Sequence, residues 1–308
     1  MIAEIKAILH ICAVLLFSPL LLGIIAKTKA FFAGRKGQPI LQTYYDIVKL
    51  FCKGNVYSTT TTWIFQAAPI VFFASMLAVS LVIPLGSMHA PFEFWGDFLA
   101  FAYILGIAKF FMILAALDTG SSFEGMGASR EAIFSCFSEI VLFLDFIVLG
   151  LLSGHFMISE MITGGIVSSW KFSGSELLLV TVSFFLVLLA ENARIPIDDP
   201  DTHLELTMVH EVMVLDHSGL DLGYIIYASA VKLFIFCALL VMMVMPCGQA
   251  PWIKNVFFVC GMIVLAVLIG IVESSMARLR LNRVPQVLTS AFVVALIALL
   301  VVLTKMTL

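Results

Sequence analysis

Eight apolar runs punctuate the chain, near residues 8–26, 64–86, 97–117, 132–154, 175–193, 224–246, 253–274 and 284–304. A run of about 20 residues is what a helix needs to cross ~30 Å of hydrocarbon. There the backbone groups have only one another as hydrogen-bond partners. The runs are continuous and do not alternate between apolar and polar positions, which excludes a β-barrel. The pattern predicts an all-α, polytopic integral membrane protein of eight transmembrane helices, forming a single membrane domain over 1–308. The first run continues from Met1–Lys6 into a full span with no small-residue cleavage site, so it is expected to be a span and not a signal peptide. In the polar stretch that follows, Ile40, Leu41, Tyr44, Ile47, Val48 and Phe51 recur at helical spacing. Asp46, Lys49 and Lys53 fall between them, predicting a short amphipathic helix at the membrane interface.

Composition agrees with the pattern: 62% hydrophobic and 12% charged residues exclude a soluble globular domain of this length. Lys and Arg fix an expected orientation, since they are retained on the cytoplasmic side. Lys27, Lys29, Arg35, Lys36, Lys49, Lys53, Arg130, Arg194, Arg278, Arg280 and Arg283 fall on one side, and only Lys6, Lys171, Lys254 and Lys305 on the other. Both termini are therefore expected to face outward, with the amphipathic helix in the first cytoplasmic loop. The six cysteines are scattered and form no C-x-x-C pair for a cluster or zinc, so no redox centre or metal is expected in this chain. The partner environment is the lipid bilayer, and no nucleic acid is expected.

One cytoplasmic segment breaks the apolar habit. Residues 191–223 hold eight of the twenty carboxylates and three of the six histidines. Inside the spans, Lys109, Glu139, Asp145, Lys232 and Glu273 stand where an ionisable group is costly and faces a bundle interior or a wet cavity. Glu191, at a span end, extends the set. Buried ion pairs that merely fix the bundle are one account, and a chain of groups that exchange protons is the other. The spread over several helices favours the second. Glu191, Asp198, Asp201 and Glu205 would form the mouth of that route, with Glu139 and Asp145 deeper. His203, His210 and His217 recur every seven residues, but successive ligands more than 10 Å apart on a helix are too far for one ion, leaving docking or pH sensing. Asp118-Thr119-Gly120 reads as a turn closing the third span, because aspartic-protease chemistry needs two carboxylates sharing a proton.

Ordered motifs carry a resemblance. Gly34-Arg35-Lys36-Gly37-Gln38-Pro39 with Gln42, Asp46 and Lys49 resembles the loop after the first helix in the membrane subunit that joins the two arms of respiratory complex I. Leu117-Asp118-Thr119-Gly120-Ser121 and Gly127-Ala128-Ser129-Arg130-Glu131-Ala132 resemble the branch found in formate hydrogenlyase and other energy-converting nickel-iron hydrogenases. Glu191, Arg194, Pro196, Asp198, Pro200, Asp201, Glu205 and Leu206 fall on that family's E-x-x-R-x-P-F-D-x-P-E-x-E-x-E-L, and ESSMARLRL from Glu273 resembles its ending. The departures are His203 for a carboxylate, Ile197 for phenylalanine, Asp216-His217 for the Glu-Tyr of an E-Y-S-G motif, and an atypical segment 207–215. The resemblance implies a multi-pass subunit of the inner membrane that performs no redox step itself. It would anchor a peripheral hydrogenase-like arm of large, small and iron–sulfur subunits and couple electron transfer to proton or sodium translocation beside antiporter-like neighbours. Iron–sulfur clusters, and nickel-iron where present, would lie in those partners. Arg35, Asp46, Lys49, Arg130, Arg194, His203, His210, His217, Arg278 and Arg280 would order and dock the loops. The alternatives are a quinone-binding subunit of a complex I-like oxidoreductase and a stand-alone secondary transporter, the latter without the internal repeats it calls for.

Overall fold

A computed structural model describes residues 2–162, 170, 173–198, 209–245 and 250–307. Among these the regular structure is helical apart from one isolated bridge, Leu85 with Met88. Eight helices are long and apolar enough to cross a membrane: α1 Ile2–Phe32, α3 Trp63–Ser80, α4 Asp97–Asp118, α5 Ser122–Ser153, α6 Gly174–Glu191, α7 Gly219–Val244, α8 Pro251–Ser275 and α9 Val284–Thr307. The predicted interfacial element forms as α2, Gln42–Phe51, whose Ile47 turns inward while Tyr45 and Val48 stay exposed.

Several helices outrun the apolar runs that predict them. α5 starts at Ser122, ten residues before the run near 132, and α7 at Gly219, five before 224. Hydropathy marks only the length that must avoid water, whereas the hydrogen-bond ladder continues into the polar turns beyond it. The break between α4 and α5 is set by Gly120, at φ +70°, a left-handed conformation that glycine adopts without steric cost. Asp118 ties that corner down. Its carboxylate accepts from the Thr62 backbone N–H at 2.6 Å and from the Thr62 hydroxyl at 2.9 Å, binding the end of α4 to the start of α3.

α7 is the central helix: 83% of its most apolar stretch is buried, against 28% for α8. α3 packs on α4, α1 on α8, α9 on both α6 and α5, and α2 on α7. At the centre four phenylalanines, one each from α4, α5, α6 and α7, close a ring: Phe101–Phe146 at 5.5 Å, Phe146–Phe184 at 6.5 Å, Phe184–Phe236 at 5.9 Å and Phe101–Phe236 at 6.0 Å between centroids. Three of the four are edge-to-face and the Phe184–Phe236 pair is tilted at 34°; edge-to-face pairs contribute about 0.5–1.5 kcal/mol beyond area burial. The outer surface keeps large apolar groups such as Tyr103, Phe110 and Val264 exposed, as a lipid-facing surface requires. The eight spans found among the described residues place α2 and residues 192–198 and 209–218 at one end of the bundle, the loop-bearing end opposite the one where α1 starts.

Candidate ion-coupling site

Glu191, the last residue of α6, is 7% exposed and sits between two lysines from other helices. Lys109 of α4 reaches its Oε1 at 2.6 Å and Lys232 of α7 its Oε2 at 3.0 Å. Lys232 also donates to the Glu191 carbonyl at 2.5 Å, satisfying an acceptor that a helix C-terminus leaves open. Ser138 of α5 donates to the same carboxylate. A lone buried carboxylate or ammonium costs several kcal/mol, so these groups are tolerable only together. Two cations against one buried anion leave an excess positive charge, and Glu139, 3.8 Å from Lys109, meets it with a side chain that is 34% exposed. Glu131 joins them in lining a small space of about 10 Å³ shared with Lys109, Ser138, Glu191 and Asp198, roughly what one water needs.

A far larger cavity, about 510 Å³, lies on the other side of Glu191. Its walls come from α1 (Ile25, Lys29), the first loop (Gln38) and α7 (Ile225, Lys232), and it takes in Arg194, His210 and His217. Glu191 thus borders both the open cavity and the water-sized space, with Lys109 lining the smaller and Lys232 the larger.

Three further ion pairs gather at the segment after α6. Glu273, at the end of α8 and 5% exposed, lies 3.2 Å from Lys29 of α1 and 3.4 Å from Arg194. Asp198 pairs with Arg278 at 2.6 Å and accepts from the backbone N–H groups of Val209 and His210 at 3.3 and 3.0 Å. The Leu279 N–H bonds the Pro196 carbonyl at 3.0 Å. The chain from 192 to 198 is therefore clamped to the connection between α8 and α9.

The histidines do not share a helix. His210 precedes a short 3₁₀ turn, Glu211–Val214, and His217 lies beyond it, stacked on Phe65 with centroids 3.9 Å apart and planes 6° from parallel. Burial pushes the His210 imidazole down to about 4, helped by the charge of Lys232 and opposed by Asp198. Burial alone does the same to His217, also to about 4, and neither ring nitrogen of His217 has a hydrogen-bond partner among the described residues. Both are neutral near pH 7.

The other singled-out residues are spread. Arg35, Asp46, Lys49 and Arg280 are exposed at the loop end, where Asp46 accepts from Gln42 at 2.9 Å. Arg130 is half-buried on the first turns of α5. Asp145 is fully buried on α5, away from the lysines, and is bonded by Ser183. Asp201, His203 and Glu205 lie outside the described residues. Sequence reasoning passed over Ser138 and Glu131 as members of the cluster and counted Lys29 only for orientation. Their roles depend on helix rotation and crossing, which one sequence does not print. Among the described residues no group of three or more His, Cys, Asp or Glu could hold a metal ion.

A multi-pass membrane protein with a lysine–carboxylate–lysine cluster under a loop-end cavity is the class these features define. Residues 5–304 match the family model described as NADH dehydrogenase, and the chain belongs to that family. It is 31% identical over 291 residues to hydrogenase-4 component C of Escherichia coli (strain K12), covering 92% of this chain and 91% of that protein. It is also 31% identical over 301 residues to formate hydrogenlyase subunit 4 of the same organism, covering 93% and 95%. A subunit of the NADH-quinone oxidoreductase of Rubrobacter xylanophilus is 32% identical over 168 residues, about half of each chain (54% and 51%). A chain in the structure of the membrane-bound sulfane sulfur reductase, an archaeal respiratory membrane complex, shares the fold. The TM-score is 0.84 at 21% identity, over 98% of this chain and 100% of that one.

Proposed function

We propose that this chain is the membrane-arm subunit of a multisubunit oxidoreductase of the hydrogenase or complex I type. It anchors a peripheral arm of hydrogenase-like large and small subunits and an iron–sulfur protein, and couples that arm's electron transfer to proton or sodium translocation. The observation that carries the reading is the buried Lys109–Glu191–Lys232 cluster at the inner wall of the loop-end cavity. A change of charge or shape in whatever docks over the cavity acts on Lys232 and Glu191 directly, because both line it. Family membership supports the same assignment, and the two E. coli relatives are named as components of larger assemblies. On this reading the loop end faces the cytoplasm and both termini face outward, Asp198 and Glu191 form the mouth of the route with Asp201 and Glu205, and Glu139, Lys109 and Lys232 pass charge onward. Arg194, Glu273, Arg278 and Asp198 hold the segment against which the arm seats, and any iron–sulfur or nickel-iron cofactor belongs to the partners.

The cavity favours a second reading, a quinone-binding subunit: 510 Å³ lies within the usual range for small-molecule sites, and the walls mix apolar groups with His210 and His217. Purifying the complex through a tag on this chain and identifying its companions by mass spectrometry separates the readings. A large subunit with both pairs of nickel-binding cysteines supports a hydrogenase module, and one lacking them supports the quinone-linked form. Recovery of this chain alone overturns both.

A further inference from the structure

Helices α5, α6 and α9 pack against one another and carry buried polar side chains at three levels. Nearest the loops, Ser138 of α5 meets Glu191 of α6. In the middle, Ser183 of α6 lies 3.1 Å from Asp145 Oδ2 of α5 and 3.2 Å from the Ala291 carbonyl of α9. At the far end, Glu176 of α6 accepts from Ser175 at 2.7 Å and pairs with Lys305 of α9. The register follows from the sequence: Ser138 and Asp145 are seven residues apart on α5, and Glu176, Ser183 and Glu191 are spaced seven and eight on α6. Such spacings keep a helical stripe on nearly one face. From Glu191 to Glu176 the stripe covers about 22 Å of the ~30 Å hydrocarbon core.

The middle level has a hydrogen-bonding problem with one solution. Asp145 and Ser183 are both 0% exposed, and among the described residues Asp145 Oδ1 has no hydrogen-bond partner and no cation pairs with this carboxyl. Ser183 has a single hydroxyl proton, yet both of its neighbours are acceptors if Asp145 is ionised. A proton on Asp145 Oδ2 resolves this: Asp145 donates to Ser183 Oγ, and Ser183 donates to the Ala291 carbonyl. It also removes an isolated buried anion, the most costly species in such a place.

We propose that Asp145 holds a proton at mid-membrane and that this chain itself carries an ion route across the membrane, from Glu191 and Ser138 through Asp145 and Ser183 to Glu176 and Lys305. The proposal rests on the coupling reading above and extends it, since a mere anchor, or a subunit that hands every proton to its neighbours, needs no acid at the middle or far level. A proton arriving from the Glu191 level reprotonates Asp145 after its own proton has passed, by way of the Ser183 hydroxyl, to the Glu176 carboxylate. Glu176 releases it to solvent beside the half-exposed Lys305. One proton enters and one leaves, with no change of oxidation state. The levels are roughly 10 Å apart along the helices, so on this proposal water must enter transiently between them.

The test uses the whole complex, purified through this chain and reconstituted in liposomes, as wild type and with Asp145→Asn, Asp145→Glu and Glu176→Gln. Co-elution of the subunits reports folding. Infrared spectra in H₂O and D₂O are expected to show a buried carboxylic acid C=O band that Asp145→Asn abolishes and Glu176→Gln leaves in place. Protons released per electron pair are expected to fall in Asp145→Asn and in Glu176→Gln and to recover in Asp145→Glu. Should Asp145→Asn fail to assemble, Glu176→Gln at the far level still reads the route. An unchanged proton ratio in Glu176→Gln, or in an assembled Asp145→Asn, overturns the route. A carboxylic acid band indifferent to Asp145→Asn, or one removed by sodium at constant pH, overturns the proton at Asp145. A wild-type complex that transfers electrons and moves no protons instead defeats the coupling reading itself.

Discussion

Replacing Glu191 by Gln keeps the shape of the side chain and removes the buried anion paired with both Lys109 and Lys232, which are 2.6 and 3.0 Å from it. Among the described residues the remaining carboxylates make no close contact with Lys232: Glu139 is 3.8 Å from Lys109 and partly exposed, and Glu131 acts on both lysines only through its charge, so Lys232 loses its one directly paired anion. Removing one partner of a buried ion pair costs about 3–5 kcal/mol because the other charge stays behind. Lys232→Met alone should cost less, since Lys109 and Ser138 still serve Glu191. The double variant should be destabilised by less than the sum of the two, with a coupling of about 0.5–3 kcal/mol. The assay is reversible unfolding of the purified chain in mixed micelles, taken through the full double-mutant cycle at constant pH. Additivity within ~0.5 kcal/mol would refute the reasoning, because it would mean that the two charges do not share one buried site.

Two further outcomes test other parts of the structure. His217 has a depressed folded-state value near 4 against an unfolded value of 6.5, so the unfolded chain binds the extra proton between those limits and stability falls as pH drops from 6.5 to 4. The full loss is about 3 kcal/mol. His217→Phe, which keeps the ring on Phe65, should flatten that part of a melting-temperature profile, and an unaltered slope would count against the burial argument. Gly270 on α8 has room for no side chain: a Cβ there would stand 2.7 Å from Thr28 Cβ and 3.3 Å from the Ile25 carbonyl of α1. Overpacking of about 1–3 kcal/mol outweighs the gain of up to ~1 kcal/mol from replacing a mid-helix glycine. Gly270→Ala should therefore lower the unfolding midpoint, and a rise would show that α1 and α8 separate at little cost.

The spans were legible because each must satisfy its own backbone in hydrocarbon, and that demand writes itself into the sequence as uninterrupted apolar length. The amphipathic α2 was legible for the same reason in reduced form, through the spacing of Ile47 and its neighbours. Helix ends were not, since Ser122–Arg130 continues α5 through polar residues that hydropathy assigns to a loop. Glu191, Lys109 and Lys232 were visible as isolated charges in apolar surroundings. Their convergence on one point depends on how α4, α6 and α7 cross. Lys29 illustrates the limit: in the sequence it is one of many basic loop residues, and only the packing of α1 against α8 makes it the partner of Glu273. The middle rung was half visible, Asp145 as an intramembrane acid and Ser183 as nothing more than a serine in an apolar run.

Charge balance in the Glu191 cluster gives the coupling reading its sharpest consequence. Lys109 and Lys232 contribute two positive charges and Glu191 one negative, so the balance falls to Glu131, whose charge acts on both lysines, and to Glu139, whose side chain is 34% exposed and 3.8 Å from Lys109. Removing the Glu139 charge by Glu139→Gln should cost little, about 0–1 kcal/mol as for other partly exposed pairs, and removing Lys109 should cost more because Glu191 loses its shortest partner. In Lys109→Met the surviving carboxylate of Glu139 has no cation as close, so adding Glu139→Gln should stabilise that variant relative to Lys109→Met alone. The opposite sign, a double variant less stable than Lys109→Met alone, would show that Glu139 is held by something other than Lys109. The cluster would then lack the freedom to exchange charge between Glu191 and the flank of the bundle. With the expected sign, Glu139 belongs to the same electrostatic unit as Lys109 and Glu191 and is its most exposed member, as the proposed coupling requires.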